Sequence, residues 1–104
     1  MRALLSSLIN NVNLIIALDC GIKSCEEVSY ARANNIDYII CDHHEQGKEI
    51  PDAIAVLDPK RKDCNYPFKH LSGCGVGFKL AHAYCISNNL SFDLVKEYFD
   101  LLAI

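Results

Sequence analysis

The chain has 104 residues, 51% of them apolar and 22% charged, the balance of one ordinary folded domain, which excludes a disordered or fibrous polypeptide. Ten lysines and arginines against thirteen acids leave a net charge of −3, so contact with nucleic acid has to come from a local basic patch and not from the overall field. The longest apolar runs, residues 14–18 and 53–57, fall far short of the roughly 18 residues that a membrane span requires, and no membrane partner is expected.

At the N-terminus, Met1-Arg2-Ala3-Leu4-Leu5 has the outline of a signal peptide, but Asn10, Asn11 and Asn13 interrupt it and no small-residue cleavage site follows. A cytoplasmic location is therefore expected. Residues 13–19 (NLIIALD) read as a strand buried on both faces of a parallel sheet, ended by Gly21. Ser24-x-x-Glu27 is a capping-box pattern, and it opens a helix that carries Val28 and Ala31 on its inner face as far as Asn34 and Asn35. Residues 37–41 (DYIIC) form a second buried strand, and residues 53–57 (AIAVL) a third after a polar loop closed by Pro51. From Lys60 to His70 the chain is polar and basic with no periodicity, and reads as a loop. Residues 75–87 and 92–104 read as helices; in the second, Leu94, Val95, Tyr98, Leu101 and Leu102 follow the stripe of a core-facing helix. The six cysteines, at 20, 25, 41, 64, 74 and 85, include no Cys-x-x-Cys pair. They are expected mostly as buried thiols, and their even number is no ground for drawing disulfides.

The resulting fold class is α/β: a parallel, Rossmann-like sheet built as β-α-β-β and followed by two C-terminal helices. A right-handed crossover makes the first two strands parallel and near neighbours. Asp19 then ends strand one, Asp42-His43-His44 follows strand two and Asp58 follows strand three, all at the carboxyl edge where open α/β sheets place their ligands. Three carboxylates and two imidazoles in one crevice repel and desolvate one another unless a cation sits among them. Oxygen plus imidazole without thiolate geometry favours Mn²⁺ or a similar ion over structural zinc, and makes pure Mg²⁺ chemistry less natural. His43 and His44 are adjacent, so in an extended segment they point to opposite sides. One can ligate a metal while the other faces substrate as a phosphate donor or general acid.

Each signal also has a plainer reading. A single aspartate after a strand is usually a turn or capping residue, and Asp58, before Pro59, is read as a turn former. Ser72-Gly73-Cys74-Gly75-Val76-Gly77-Phe78-Lys79 opens a helix whose glycines either cradle an anion, with Gly73, Gly75 and Lys79 contributing, or make a tight turn with close helix packing. Lys60, Arg61, Lys62 and Lys69, interleaved with Tyr66 and Phe68, form either a basic and aromatic patch for single-stranded nucleic acid or a solvated loop.

Taken together, LIIALDCGI, IICDHHEQG, LDPKRKDCNYPF and LSGCGVGFKLA closely resemble the DHH phosphoesterase family, over about residues 14–104. Asp-His-His marks the broad family, while the glycine segment and the Asp-Pro-Lys-Arg loop point to its branch of exonucleases specific for single-stranded DNA. The resemblance implies that Asp19 bridges two divalent cations, typically Mn²⁺ (or Mg²⁺), that His43 ligates one of them, that Asp42 supports the site and that His44 contacts the scissile phosphate. Arg61, Gly73, Gly75 and Lys79 are the weaker candidates for holding substrate. The implied reaction is hydrolysis of a phosphodiester in single-stranded DNA, 5′ to 3′, in recombination and repair, with cations about 3.5–4 Å apart stabilising the attacking and leaving oxygens.

The family's first motif, Asp-x-Asp, has no counterpart in residues 1–12, which contain no acid, and its fourth-motif aspartate is expected beyond Ile104. Residues 1–104 accordingly read as a partial DHH catalytic domain without the DHH-associated domain, with little or no nuclease activity alone. The apolar terminus 101–104 suggests self-association or a missing companion segment. Two other readings remain: a DHH phosphodiesterase of short oligonucleotides or cyclic dinucleotides, and a non-catalytic remnant or binding module.

Overall fold

The computed structural model describes residues 11–98. Three parallel strands, β1 (Leu14–Leu18), β2 (Asp37–Cys41) and β3 (Ala55–Leu57), lie in the order β1-β2-β3. Helix α1 (Cys25–Ala33) makes the crossover from β1 to β2, and α2 (Gly73–Ser87) and the four-residue α3 (Asp93–Lys96) follow the sheet. This is the α/β, parallel-sheet arrangement that the alternation of apolar runs and capping signals predicts.

β2 is the central strand, and its apolar run explains why: Tyr38, Ile40 and Cys41 are all buried, with Ile40 fully so. Val28 and Ala31 of α1 pack there with Ala17 and Ile36 to make the core. Burying an aliphatic side chain of this kind contributes about 1.5–3 kcal/mol, so the crossover helix and the middle strand hold each other.

Several sequence expectations are corrected. β1 is not buried on both faces among the described residues: Leu14, Ile16 and Leu18, which share one face, are 44%, 48% and 55% exposed, while Ala17 on the other faces the core. β3 is shorter than residues 53–57. The Ser24 hydroxyl makes no capping hydrogen bond; the turn is closed by backbone instead, with the Ser24 N–H donating to the Gly21 carbonyl. α2 starts two residues early because Ser72 is a working N-cap, its Oγ accepting from the Gly75 N–H at 3.0 Å. Of the stripe assigned to the last helix, Leu94 and Tyr98 are 57% and 51% exposed while Val95 is half-buried, and α3 meets α2 through Phe92. Leu101 and Leu102 of that stripe, and the apolar terminus read as a self-association signal, lie outside the described residues. Of the six thiols, only Cys41 and Cys85 are buried, and Cys74 is exposed at the start of α2.

The register positions the site. Leu18 pairs with Cys41, and Cys41 with Leu57, so the three strands finish level. Two further backbone bonds extend the ladder past the strand ends: Asp19 N–H to the Cys41 carbonyl at 2.8 Å, and Asp42 N–H to the Leu57 carbonyl at 2.9 Å. Asp19, Asp42 and Asp58 are therefore the next residues in line on one carboxyl edge.

Candidate metal centre

Asp19 leaves β1 with φ at +63°, in the left-handed region that costs a side-chain-bearing residue on the order of 1 kcal/mol and that aspartate tolerates better than most. Such a conformation persists only where its surroundings hold it. Here the Asp19 N–H is fixed to β2, and the carboxylate Oδ1 lies 2.9 Å from His43 Nε2. The two side chains remain accessible, at 63% and 30% exposure.

Asp42 is the opposite case. It is 1% exposed, and both oxygens are occupied. Oδ2 accepts from the Ile22 N–H at 2.9 Å, and Oδ1 accepts from the N–H groups of His43 and His44 and lies 2.5 Å from His44 Nδ1. Burial alone would push the Asp42 carboxyl up, but the Ile22 amide, the His44 ring and the two histidine amides together hold it below the ordinary carboxylate range. An ionised carboxylate only accepts, so the His44 proton resides on Nδ1 and Nε2 is the nitrogen left for another partner. Asp42 thus shapes the turn and fixes the His44 ring, with three of its four hydrogen bonds on Oδ1 and one on Oδ2.

Ligand atoms of Asp19, Asp42, His43 and His44 all lie within 4.8 Å of one another. The expectation that the two histidines point to opposite sides is corrected: past the end of β2 the backbone is no longer extended, and the rings lie side by side with centroids 4.4 Å apart, although their partners differ, His43 meeting Asp19 and His44 meeting Asp42. The 2.9 Å between Asp19 Oδ1 and His43 Nε2 fits a divalent cation, since adjacent ligands of an octahedron with bonds of about 2.1 Å stand roughly 3 Å apart. Carboxylate oxygen and imidazole nitrogen are the donors that a manganese-like ion accepts.

The residues singled out for substrate divide between two places. Gly73 lies at the start of α2 directly against Asp19, and Gly75 donates its N–H to the Ser72 hydroxyl, both of them close contacts at a helix start. Arg61 and Lys79 line a separate cleft of about 480 Å³ between β3, the 58–70 loop and α2, which also includes Asp58, Tyr66 and Leu71. Arg61 is already engaged: its fork grips Asp63 at 2.6 and 2.8 Å, and its third nitrogen donates to the Val56 carbonyl. Lys79 Nζ stands 5.7 Å over the Tyr66 ring, and Lys69 Nζ donates to the Cys64 carbonyl. The basic loop is in large part tied to itself.

Asp58 makes the turn expected of it, Oδ1 accepting from the Lys60 N–H at 2.9 Å. It is also 4% exposed, and Oδ2 is the buried side-chain atom without a hydrogen-bond partner among the described residues. Burial, and Asp42 nearby, push its carboxyl up despite the Lys60 amide. The Asp-Pro pair signals the turn, and nothing local signals the depth.

No helix among the described residues is long and apolar enough to cross a membrane. The chain resembles two curated proteins, each named a single-stranded-DNA-specific exonuclease RecJ. It is 48% identical to that of Bacillus subtilis (strain 168) and 36% identical to that of Escherichia coli (strain K12), over 88% of this chain in both cases. It spans only 11% and 17% of their lengths. Among solved structures, it superposes on exonuclease RecJ bound to manganese with a TM-score of 0.76, and on RecJ of Thermus thermophilus in complex with Mn²⁺ with 0.74. Each shares 26% identity over 88% of this chain, which covers 23% and 14% of those chains. The pattern of the DHH family, N-terminal domain, matches residues 1–104 throughout, and the chain belongs to the DHH family.

Proposed function

We propose that these residues supply part of the catalytic centre of a manganese-dependent phosphodiesterase that degrades single-stranded DNA, with the remaining ligands and much of the DNA-binding surface contributed by sequence outside them. The observation that carries the reading is the meeting of Asp19, Asp42, His43 and His44 at one strand edge. That the relatives are single-stranded-DNA-specific exonucleases, and the solved ones manganese complexes, supports the substrate and the ion. A cytoplasmic location and 5′ to 3′ polarity belong to the same proposal.

In this assignment Asp19 and His43 hold the cation, and Asp42 holds the turn. A divalent ion held there would supply Lewis-acid stabilisation of the charge that develops on phosphate oxygens. His44, anchored through Nδ1, presents Nε2 to the scissile phosphate and orients it. Arg61 and Lys79 are placed to act on substrate only through the neighbouring cleft, with Lys79 the less committed of the two.

The test is a chimera in which residues 11–98 replace the matching segment of the Bacillus subtilis relative. With Mn²⁺ it is expected to release acid-soluble nucleotide from 5′-labelled single-stranded DNA, and His43→Ala is expected to abolish that release. A folded chimera without activity, or one indifferent to His43→Ala, would refute the proposal. The 104 residues alone are expected to release little nucleotide.

A further inference from the structure

α2 does not merely begin near Asp19; it begins where a side chain would destroy the placement of Asp19. A Cβ built on Gly73 would stand 2.2 Å from Asp19 Oδ1, 2.5 Å from its Cγ and 2.6 Å from its Cβ. Rotation about χ1 could carry the carboxylate away from such an intruder, but it cannot move the Asp19 Cβ. Relief has to come from the backbone on one side or the other. On the strand side, Asp19 is held at φ +63° with its N–H bonded to β2. On the helix side, the Ser72 cap on Gly75 and the burial of Val76 fix the first turn.

We infer that Gly73 is a positioning residue for the metal centre: its missing Cβ lets the end of β1 and the start of α2 close on each other, and that contact aims the Asp19 carboxylate at His43. The inference rests on the metal reading of Asp19 and His43. It gives the glycine segment a function distinct from anion binding. Gly77 marks the contrast within the same helix, because a Cβ there would meet only the flexible end of Leu18, Cδ2 at 3.2 Å. By helix propensity alone, alanine is preferred to glycine at either site. The nearest atoms that a Cβ at Gly73 would meet all belong to Asp19, so a loss on Gly73→Ala is expected to act first on that residue.

The experiment compares Gly73→Ala, Gly77→Ala and the parent in the full chain by two readouts. One is Mn²⁺ affinity from electron paramagnetic resonance, and the other is the metal-free ¹⁵N chemical shift of the His43 ring. Gly73→Ala is expected to weaken Mn²⁺ binding about tenfold or more, as the loss of groups that orient a ligand does, and to shift the His43 signal. Gly77→Ala is expected to do neither. If the parent binds Mn²⁺ and Gly73→Ala matches it in both readouts, the positioning role is wrong while the metal reading stands. If the parent binds no Mn²⁺, the His43 shift alone decides whether Gly73 places Asp19. Should Gly73→Ala fail to fold, adding Asp19→Gly is expected to restore folding by removing the clash, and failure to restore it would overturn the inference.

Discussion

Asp42 and Asp58 end neighbouring parallel strands, level with each other, and both are buried, yet the protein treats them in opposite ways. Asp42 accepts from four donors and is held ionised; Asp58 accepts from one, keeps an orphaned oxygen and is pushed toward its neutral form. Depth in the fold is nearly the same, so desolvation cannot be the difference. The difference is the donors around each one: Asp42 receives the Ile22 N–H from the loop after β1 and three more from the turn that follows it. After β2 the chain folds back so that the amides of His43 and His44, and the His44 ring, converge on one carboxylate. After β3, Pro59 carries no N–H and only Lys60 is left to donate. A buried carboxylate organises a site only if its surroundings supply the donors.

The largest effect that would break this contrast is at Asp42. Asp42→Ala leaves the Ile22, His43 and His44 donors without their acceptor and is expected to cost about 3 kcal/mol, measured by urea unfolding; a loss under about 1 kcal/mol would show the network to be ornamental. The pH dependence sharpens the same point. A carboxyl whose folded pKa is depressed contributes stability that is present above its unfolded pKa and is lost as pH falls through the folded value. Acid destabilisation of the parent should therefore be blunted in Asp42→Asn, whose starting stability is lower.

Asp58 should behave with the other sign, and more weakly. Its raised pKa means a contribution that is full below the unfolded pKa and lost as pH rises through the folded value, so near neutrality the buried charge is a cost. Asp58→Asn keeps Oδ1 for Lys60 and removes that charge, so a gain of up to about 1 kcal/mol near neutrality is expected, shrinking in acid. A loss of stability at neutral pH would mean that Oδ2 has a role the geometry does not reveal.

The two regions also differ in how much of them could be read from sequence. DYIIC and NLIIALD announce strands because apolar, β-branched runs of that length bury well in a parallel sheet, and β2 falls at Asp37–Cys41 as expected. Level strand ends then follow from the crossover, so the gathering of Asp19 with Asp42-His43-His44 was legible. The 58–79 stretch was not. There the structure depends on contacts between residues distant in the chain, Gly73 on Asp19 and Gly77 on Leu18, and on Arg61 clamping β3. A glycine-rich run looks alike whether it waits for an anion or for a neighbouring strand. Likewise Ser24 has the better capping pattern, yet it is Ser72 that caps, because the hydroxyl has to meet a free amide in three dimensions.

The central claim, that Asp19 and His43 together hold a divalent cation, is tested most directly by titrating Mn²⁺ into the chimera that carries the parent segment, and into its Asp19→Asn and His43→Ala variants, and following free ion by electron paramagnetic resonance. The unsubstituted chimera is expected to bind, and each substitution to weaken binding at least about tenfold. Equal affinity in all three proteins, or no binding by the unsubstituted chimera, would contradict it.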